Sequence, residues 1–168
     1  TKLAAHRQAA RAVAFLGDGG QLVSAGDDKL LVLWDAASGR KLSSVEAHRG
    51  GIHAIAMAQD RRTFATASHD RTAKLWTLAS DGQSLTEGAM LSGHTGPVLA
   101  AAFSPDAATL ATASQDNIVK LWDTASGEER SSFQGHERYV ACLAFSVDGK
   151  FLFTGSSDRA VKRWRVAE

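Results

Sequence analysis

The chain has 168 residues, 44% of them hydrophobic, which is the size of one domain with enough apolar side chains to bury a core. Its 19 basic and 18 acidic residues leave a formal charge of +1, so the chain lacks the strong positive field that would attract nucleic acids and anionic membranes. No apolar run approaches the ~20 residues needed to span a bilayer. We therefore expect no nucleic acid and no membrane among its partners.

The single cysteine, Cys142, cannot form a disulfide within the chain, which fits a reducing compartment and predicts a cytoplasmic location. The chain starts at Thr1 rather than at methionine, and repeats described below reach both ends. We expect it to be a fragment or a trimmed product.

In chain order, the first predicted element is an edge strand at Lys2 to Ala5, just before His6. After it, apolar residues at Ala10, Val13 and Phe15 are spaced by three and then by two positions. A strand with one extra residue, a β-bulge, would keep all three side chains on one buried face. The same spacing returns at Ile52, Ile55, Met57; at Val98, Ala101, Phe103; and at Val140, Leu143, Phe145.

Turn signals then separate three more strands. Each first strand ends in an Asp-containing hairpin turn, such as Ser104-Pro105-Asp106, and a second strand follows, such as Thr109 to Ser114. A short turn at a further Asp leads to a third strand that ends near a Trp, and Ser-Gly or Asp-Gly pairs lead to a fourth. Short strands with turns at ~10-residue spacing predict an all-β fold.

This series of elements occurs four times. In every copy a Trp stands 28 residues after a His, an Asp stands 22 residues after it, and a hydroxyl residue stands four before that Asp. The repeat starts are 42, 46 and 42 residues apart, which is the period of four-stranded propeller blades. The four sets are His6, Ser24, Asp28, Trp34; His48, Thr66, Asp70, Trp76; His94, Thr112, Asp116, Trp122; and His136, Thr154, Asp158, Trp164.

On these residues the chain resembles the WD-repeat family, whose dipeptide stands at Trp34-Asp35 and at Trp122-Asp123. The resemblance implies an all-β β-propeller of four-stranded antiparallel blades, four blades per chain. Residues 1–168 would form one array, with repeat starts near His6, His48, His94 and His136 and with Lys2 to Ala5 as a closing strand.

A hydroxyl residue, a His and an Asp also resemble a hydrolase triad. Because the set recurs in all four copies with a Trp, and an enzyme needs one activated site, we expect no catalytic residue. The family resemblance implies instead that these sixteen residues form a buried hydrogen-bond network inside each blade.

The family resemblance places the partner surface on one face, at the third and fifth residues after each His and at the residue before each repeat Asp. These positions differ in chemistry between copies, as a recognition surface would. The predicted partner-binding residues are Arg11, Asp27, His53, His69, Pro97, Leu99, Gln115, Tyr139 and Ser157, beside Ala9, Gly51 and Ala141.

Three further expectations concern metals, lysines and a linker. His53 and His69 could approach each other, but no Cys or additional carboxylate stands at ligand spacing, so we expect no metal and no cofactor.

Lys74, Lys120 and Lys162 recur on the third strand and are expected on its solvated face. The segment 77–92 is four residues longer than its counterparts and predicts a longer loop.

The two ends of the array are complementary, because the last blade lacks a fourth strand and Lys2 to Ala5 lacks a blade. Joining them closes a ring of four blades in one chain or of eight in a homodimer, and a two-fold dimer leaves no open sheet edge. We favour the eight-bladed homodimer. The alternatives are a four-blade monomer or part of a longer propeller.

The sequence thus predicts a non-catalytic scaffold that binds a protein or peptide. One alternative is an engineered or assembly-only propeller with no external ligand. Another is a ligand-sensing or enzymatic domain on a propeller, for which the sequence has no unique nucleophile, metal set or phosphate loop.

Overall fold

The computed structural model describes residues 2–166, which form four antiparallel sheets, here called blades. Blade 1 contains β1 (Ala10–Leu16), β2 (Gln21–Gly26), β3 (Leu30–Asp35) and β4 (Lys41–Glu46). Blade 2 contains β5 (Ile52–Met57), β6 (Thr63–Ser68), β7 (Thr72–Leu78) and β8 (Leu85–Ser92). Blade 3 contains β9 (Val98–Phe103), β10 (Thr109–Ser114), β11 (Val119–Asp123) and β12 (Glu129–Phe133). Blade 4 has only β13 (Val140–Phe145), β14 (Phe151–Ser156) and β15 (Val161–Arg165).

The sheets are simple meanders in which each strand pairs with the next one in the chain. Turn chemistry explains the reversals: in the β5–β6 hairpin, for example, the Asp60 carboxylate accepts hydrogen bonds from the Arg62 and Thr63 amides at 2.9 and 2.8 Å. Within residues 2–166 no helix has the length and hydropathy of a membrane span.

The predicted β-bulge is present in all four inner strands, which are β1, β5, β9 and β13. In β9, Val98 is opposite Ser114 and Ala100 is opposite Ala113, so Leu99 is the extra residue. The extra residues of the other three inner strands are Arg11, His53 and Ala141.

Neighbouring blades pack face to face in a constant order. We call the face that carries the Trp the front face and the opposite one the back face. In the core between blades 2 and 3, Ala65 and Leu75 on the back of blade 2 meet Leu110 and Trp122 on the front of blade 3. The cores between blades 1 and 2 and between blades 3 and 4 repeat this arrangement. The same front-to-back packing therefore relates each blade to the next one along the chain.

The four blades form an open arc. The inner strands pack β1 on β5, β5 on β9 and β9 on β13, and within residues 2–166 no packing of that extent joins β13 to β1. The front face of blade 1 is consequently uncovered, and Val13 and Phe15 are 64% and 59% exposed. The sequence predicted both side chains to be buried, as their counterparts in the other three blades partly are. That prediction was wrong because burial requires a blade in front of blade 1.

The edge segment before His6 does not pair as a strand in this structure. Residues 2–5 have no strand assignment, and β15 has no neighbour on its outer edge within residues 2–166. Leu3 nevertheless lines a cavity of about 280 Å³ together with Trp34. Its counterparts Leu91 and Phe133 pack on Trp122 and Trp164 in the same way. The closing strand stays a prediction.

Two expectations were wrong, one about segment 77–92 and one about the third-strand lysines. The four additional residues of segment 77–92 lengthen a hairpin instead of a loop, because Thr77 and Leu78 of β7 pair with Thr86 and Leu85 of β8. The third-strand lysines are not fully solvated. Lys120 is buried, lies 5.9 Å from the centre of the Trp122 ring and donates to Glu129 at 2.7 Å.

Lys74 makes the equivalent contacts with Trp76 and Glu87, and the Lys162 ammonium donates to the Gly135 carbonyl. A long aliphatic stem lets each lysine cover an aromatic ring while its ammonium finds an oxygen.

Candidate functional site

The repeated polar set forms one hydrogen-bonded chain inside each blade. In blade 3 the Trp122 indole N–H donates to the Thr112 Oγ1 at 2.8 Å, and Thr112 Oγ1 lies 2.8 Å from the His94 Nε2. The His94 Nδ1 lies 2.8 Å from the Asp116 carboxylate, which also accepts from the Thr95 amide at 2.9 Å. The chain joins strands β10 and β11 to the segment that enters the blade.

The other three blades repeat these contacts. The His Nδ1 to Asp distance is 2.9 Å in blades 1 and 2 and 2.7 Å in blade 4, and the His Nε2 to hydroxyl distance is 2.7 to 2.8 Å. The Trp donates to the same hydroxyl at 2.9, 3.0 and 2.8 Å. All sixteen residues of the sequence-derived network therefore lie together, blade by blade.

The hydrogen-bond pattern specifies the tautomer of each histidine. Since the ionised Asp116 carboxylate can only accept, His94 carries its proton on Nδ1, and the Nε2 of the neutral ring accepts the Thr112 hydroxyl proton. Burial lowers the pKa of His94 against the opposing pull of Asp116, and burial lowers the pKa of His48 in the same way. The network is thus complete with a neutral imidazole.

The carboxylates of the network stay ionised. Burial raises the pKa of Asp70, but hydrogen bonds from Thr72 and the Arg49 amide and the nearby His48 outweigh it and bring the pKa to about 2. Asp28, Asp116 and Asp158 also have a lowered pKa, since hydrogen bonds to the charged form exceed the cost of burial.

The set has the connectivity of a hydrolase triad but not its accessibility. Thr66 and Thr112 have no exposed surface, and the Trp N–H occupies the hydroxyl that would attack a substrate. A nucleophile must reach the reacting atom, so in blades 2 and 3 the arrangement holds the blade together and presents no accessible hydroxyl.

The variable positions lie together at the edge of the blades where each inner strand begins, which we call the top face. The β-bulge places its extra residue at this edge in every blade, at Arg11, His53, Leu99 and Ala141. Because a bulged residue leaves the ladder, its side chain is free to face outward. Sequence reasoning identified the bulge and these positions separately, and the structure shows that they are the same residues.

Backbone hydrogen bonds hold the remaining top-face positions beside the bulges. The residue before each repeat Asp donates its N–H to the carbonyl of the third residue after His, for example Gln115 to Pro97 at 2.9 Å and Ser157 to Tyr139 at 3.1 Å. Asp27 and His69 make the same bond to Ala9 and Gly51, each at 2.9 Å. The nine predicted partner-binding residues therefore lie on one edge of the arc, and Tyr139 is 45% exposed.

The junction of blades 1 and 2 carries a cluster of charged and titratable side chains. The Arg11 guanidinium donates hydrogen bonds to the Asp27 carboxylate, from Nε at 2.9 Å and from Nη2 at 2.6 Å. The rings of His53 and His69 lie 5.8 Å apart between centroids, and the buried His53 Nε2 has no hydrogen-bond partner among residues 2–166. Within residues 2–166 no group of three or more His, Cys, Asp or Glu side chains could hold a metal ion.

Sequence reasoning missed the contact between Cys142 and Gly155. A β-carbon built on Gly155 would lie 2.7 Å from the Cys142 Sγ, whereas the paired positions in the other blades are both Ala. The signal was present in the alignment of the four repeats, because alanine is replaced at both positions in blade 4 only.

Four sheets of one topology, packed front to back along their inner strands, define the chain as a β-propeller repeat protein. The family model of the WD domain, G-beta repeat (WD40), matches residues 1–35, 39–77, 85–123 and 127–165. The chain belongs to the WD40 family and contains four of its repeats. No curated protein matches it.

Proposed function

We propose that the chain is a non-catalytic interaction scaffold that binds a protein or peptide through its top face. The observation that carries this proposal is the contrast between positions: the buried network is the same in all four blades, while the bulge residues beside it are Arg11, His53, Leu99 and Ala141. A rigid repeated frame with a varied edge is what selective recognition requires.

The proposed contact residues are Arg11, Asp27, His53, His69, Pro97, Leu99, Gln115, Tyr139 and Ser157. Among them Arg11, Leu99 and Tyr139 have the side chains that serve as anchors in interfaces, because they are large and either planar or apolar. A protein partner also agrees with the near-neutral charge of +1, which gives nucleic acid and membranes no electrostatic attraction. We place the protein in the cytoplasm, since its single cysteine is free.

The experiment compares three forms of the chain in a pull-down. A triple substitution of Arg11, Leu99 and Tyr139 to Ala should abolish capture of the partner that the unmodified chain retains. The control is a triple substitution at exposed turns on the opposite edge, Gln59→Ala, Val147→Ser and Lys150→Ala. Equal capture by all three forms would refute binding through the top face.

We further propose that two chains complete an eight-bladed ring, in which each lends Lys2 to Ala5 to the last blade of the other. In this ring the front face of blade 1 would pack on the back face of blade 4 of the other chain. Both faces are uncovered, and they correspond to the two faces that pack together at each interface between blades within one chain. Val161 on that back face is 77% exposed, and the outer edge of β15 is unpaired within residues 2–166. Light scattering should give twice the 17.8 kDa of one chain, and a well-folded monomer would refute the ring.

A further inference from the structure

The top face is divided into two chemically different halves. All its charged and titratable members, Arg11, Asp27, His53 and His69, belong to blades 1 and 2. Blades 3 and 4 contribute uncharged side chains, namely Pro97, Leu99, Gln115, Tyr139 and Ser157. Among these nine residues, charged side chains therefore occur only on blades 1 and 2.

The charged half is held in place by contacts between blades. Asp27, in the β2–β3 turn of blade 1, lies against the backbone of blade 2, because a β-carbon built on Gly51 would be 3.1 Å from the Asp27 Cα. Arg11 of β1 is aligned by its hydrogen bonds to both Asp27 oxygens. His53 of β5 and His69 of the β6–β7 turn complete the cluster, and the side chains of Arg11 and His69 are exposed.

Among residues 2–166 neither imidazole is hydrogen-bonded to a carboxylate, although Asp27 lies close enough to act on both. Asp27 is already engaged by Arg11, whose hydrogen bonds lower the pKa of that carboxyl group. Burial and the neighbouring His69 lower the pKa of His53, while Asp27 opposes them. The cluster therefore contains one ion pair, Arg11 with Asp27, beside two imidazole rings, and burial disfavours the charged form of His53.

We propose that Arg11, His53 and His69 form a subsite for a carboxylate group of the partner segment, and that this subsite binds it more tightly as the pH falls from 7.5 to 5.5. The inference rests on the proposed function, because it assumes a partner on the top face. Two observations support it: within residues 2–166 the His53 Nε2 has no hydrogen-bond partner, and the two imidazole rings lie 5.8 Å apart beside the exposed Arg11 guanidinium.

Acidification changes the charge of this cluster and little else on the face. Protonation of His53 and His69 takes the four side chains from a net charge of zero to +2, and the surplus is carried by two adjacent rings that repel each other. A carboxylate beside the two rings relieves that repulsion and accepts hydrogen bonds from the exposed His69 ring and the free edge of Arg11. The five predicted contact residues on blades 3 and 4 include no His, Asp or Glu.

The test uses the full chain and two fluorescent peptides, one of six aspartates and one of six asparagines. Anisotropy should show the aspartate peptide binding about fivefold more tightly at pH 5.5 than at pH 7.5, a factor expected for two partly exposed ion pairs. The asparagine peptide should show no pH dependence. The double variant His53→Gln, His69→Gln should remove the pH dependence, whereas Lys150→Gln on the opposite edge should preserve it.

A second measurement is independent of affinity. Titration of the His53 and His69 ring protons by NMR should show the pKa of both residues rising when the aspartate peptide is added. Melting curves at both pH values establish that the double variant is folded. Equal affinity of the aspartate peptide at the two pH values, or a pH dependence that survives in the folded double variant, would overturn the subsite. A pull-down in which only Leu99 and Tyr139 are substituted leaves the subsite intact and tests the proposed function by itself, so this inference and the proposed function fail separately.

Discussion

Thr112 links the two aromatic side chains of its blade. Its oxygen accepts the Trp122 N–H and its proton goes to the His94 Nε2, while the His94 proton on Nδ1 goes to the acceptor-only Asp116 carboxylate. Each member has its partners only if every other member is present. This dependence explains why the same four side chains serve in every blade.

Removal of one member should therefore be costly. Asp116→Ala leaves the His94 N–H and the Ile118 amide, both at part-buried contacts, without an acceptor, and each such group costs about 1 to 3 kcal/mol. We expect the melting temperature to fall by roughly 5 to 15 °C, with partner binding retained while the chain is folded. Calorimetry tests this, with the exposed Asp81→Ala as control. Unchanged stability together with lost binding would show that Asp116 acts in recognition.

Acid should destabilise the fold in two stages. The folded chain lowers the pKa of His48, His53 and His94 from 6.5, so the unfolded chain binds more protons once the pH falls below that value. The free energy of unfolding should begin to decline there. A second decline should start below about pH 4, where the unfolded carboxyl groups are protonated while Asp70, with a pKa of about 2, is still ionised. Melting temperatures that stay constant from pH 7.5 to 5 would contradict the first stage.

At the scale of strands, blade 4 differs from the others in how its inner and second strands fit. The pairs Ala12 with Ala25, Ala54 with Ala67 and Ala100 with Ala113 are replaced by Cys142 with Gly155. The larger thiol occupies the volume that the missing β-carbon vacates. The two positions should therefore be coupled energetically.

A double-mutant cycle tests this coupling. Gly155→Ala alone should lower the stability by about 1 to 3 kcal/mol, because the new β-carbon overlaps the Cys142 sulfur. Adding Cys142→Ala should restore the alanine pair of the other blades and recover that loss, with a gain of up to ~1 kcal/mol from replacing glycine in a strand. Denaturant unfolding of the four forms provides the measurement. Strictly additive effects would show that the two residues do not interact.

At the scale of the whole molecule, the open back face of blade 4 is not an exact copy of the internal ones. Leu33, Leu75 and Leu121 occupy one back-face position in blades 1 to 3, and blade 4 has Arg163 there. Arg163 lies over the Phe151 ring at 4.8 Å, and Phe153 beside it is 41% exposed. Covering a guanidinium is more costly than covering a leucine. The junction between two chains should therefore be weaker than those within one.

Association can be shifted in both directions by single substitutions. Arg163→Leu makes the back face of blade 4 match the others and should lower the dissociation constant of the dimer by about tenfold or more. Leu3→Asp places a charge in the segment that would join the partner's last blade, where an apolar residue covers Trp34 at the junction, and should weaken the dimer. Sedimentation velocity over a range of concentrations measures both. A monomer in every variant would refute the ring.

The repeat pattern predicted much of the blade. Hairpin turns, strand order and the hydrogen-bonded sets such as His94, Thr112 and Asp116 depend on spacing within about 30 residues, which the printed sequence displays. Burial was predicted less well. Val13 and Phe15 have the same spacing in the sequence as their partly buried counterparts in blades 2 to 4. They are exposed because no blade covers the front face of blade 1, and spacing does not reveal whether a covering blade is present.

The sequence by itself determined the all-β class, the four repeats and the residues that pair within each blade, because these follow from local turn chemistry and from a period repeated four times. Only the tertiary structure decided how blades meet: the open arc, the burial of Lys120 and the approach of Asp27 to His53 and His69. Those relations join residues of different blades or strands, and they depend on the distance and angle between packed sheets. The spacing of residues along the sequence carries no information about that distance and angle, which are set by how the front and back faces of the blades pack.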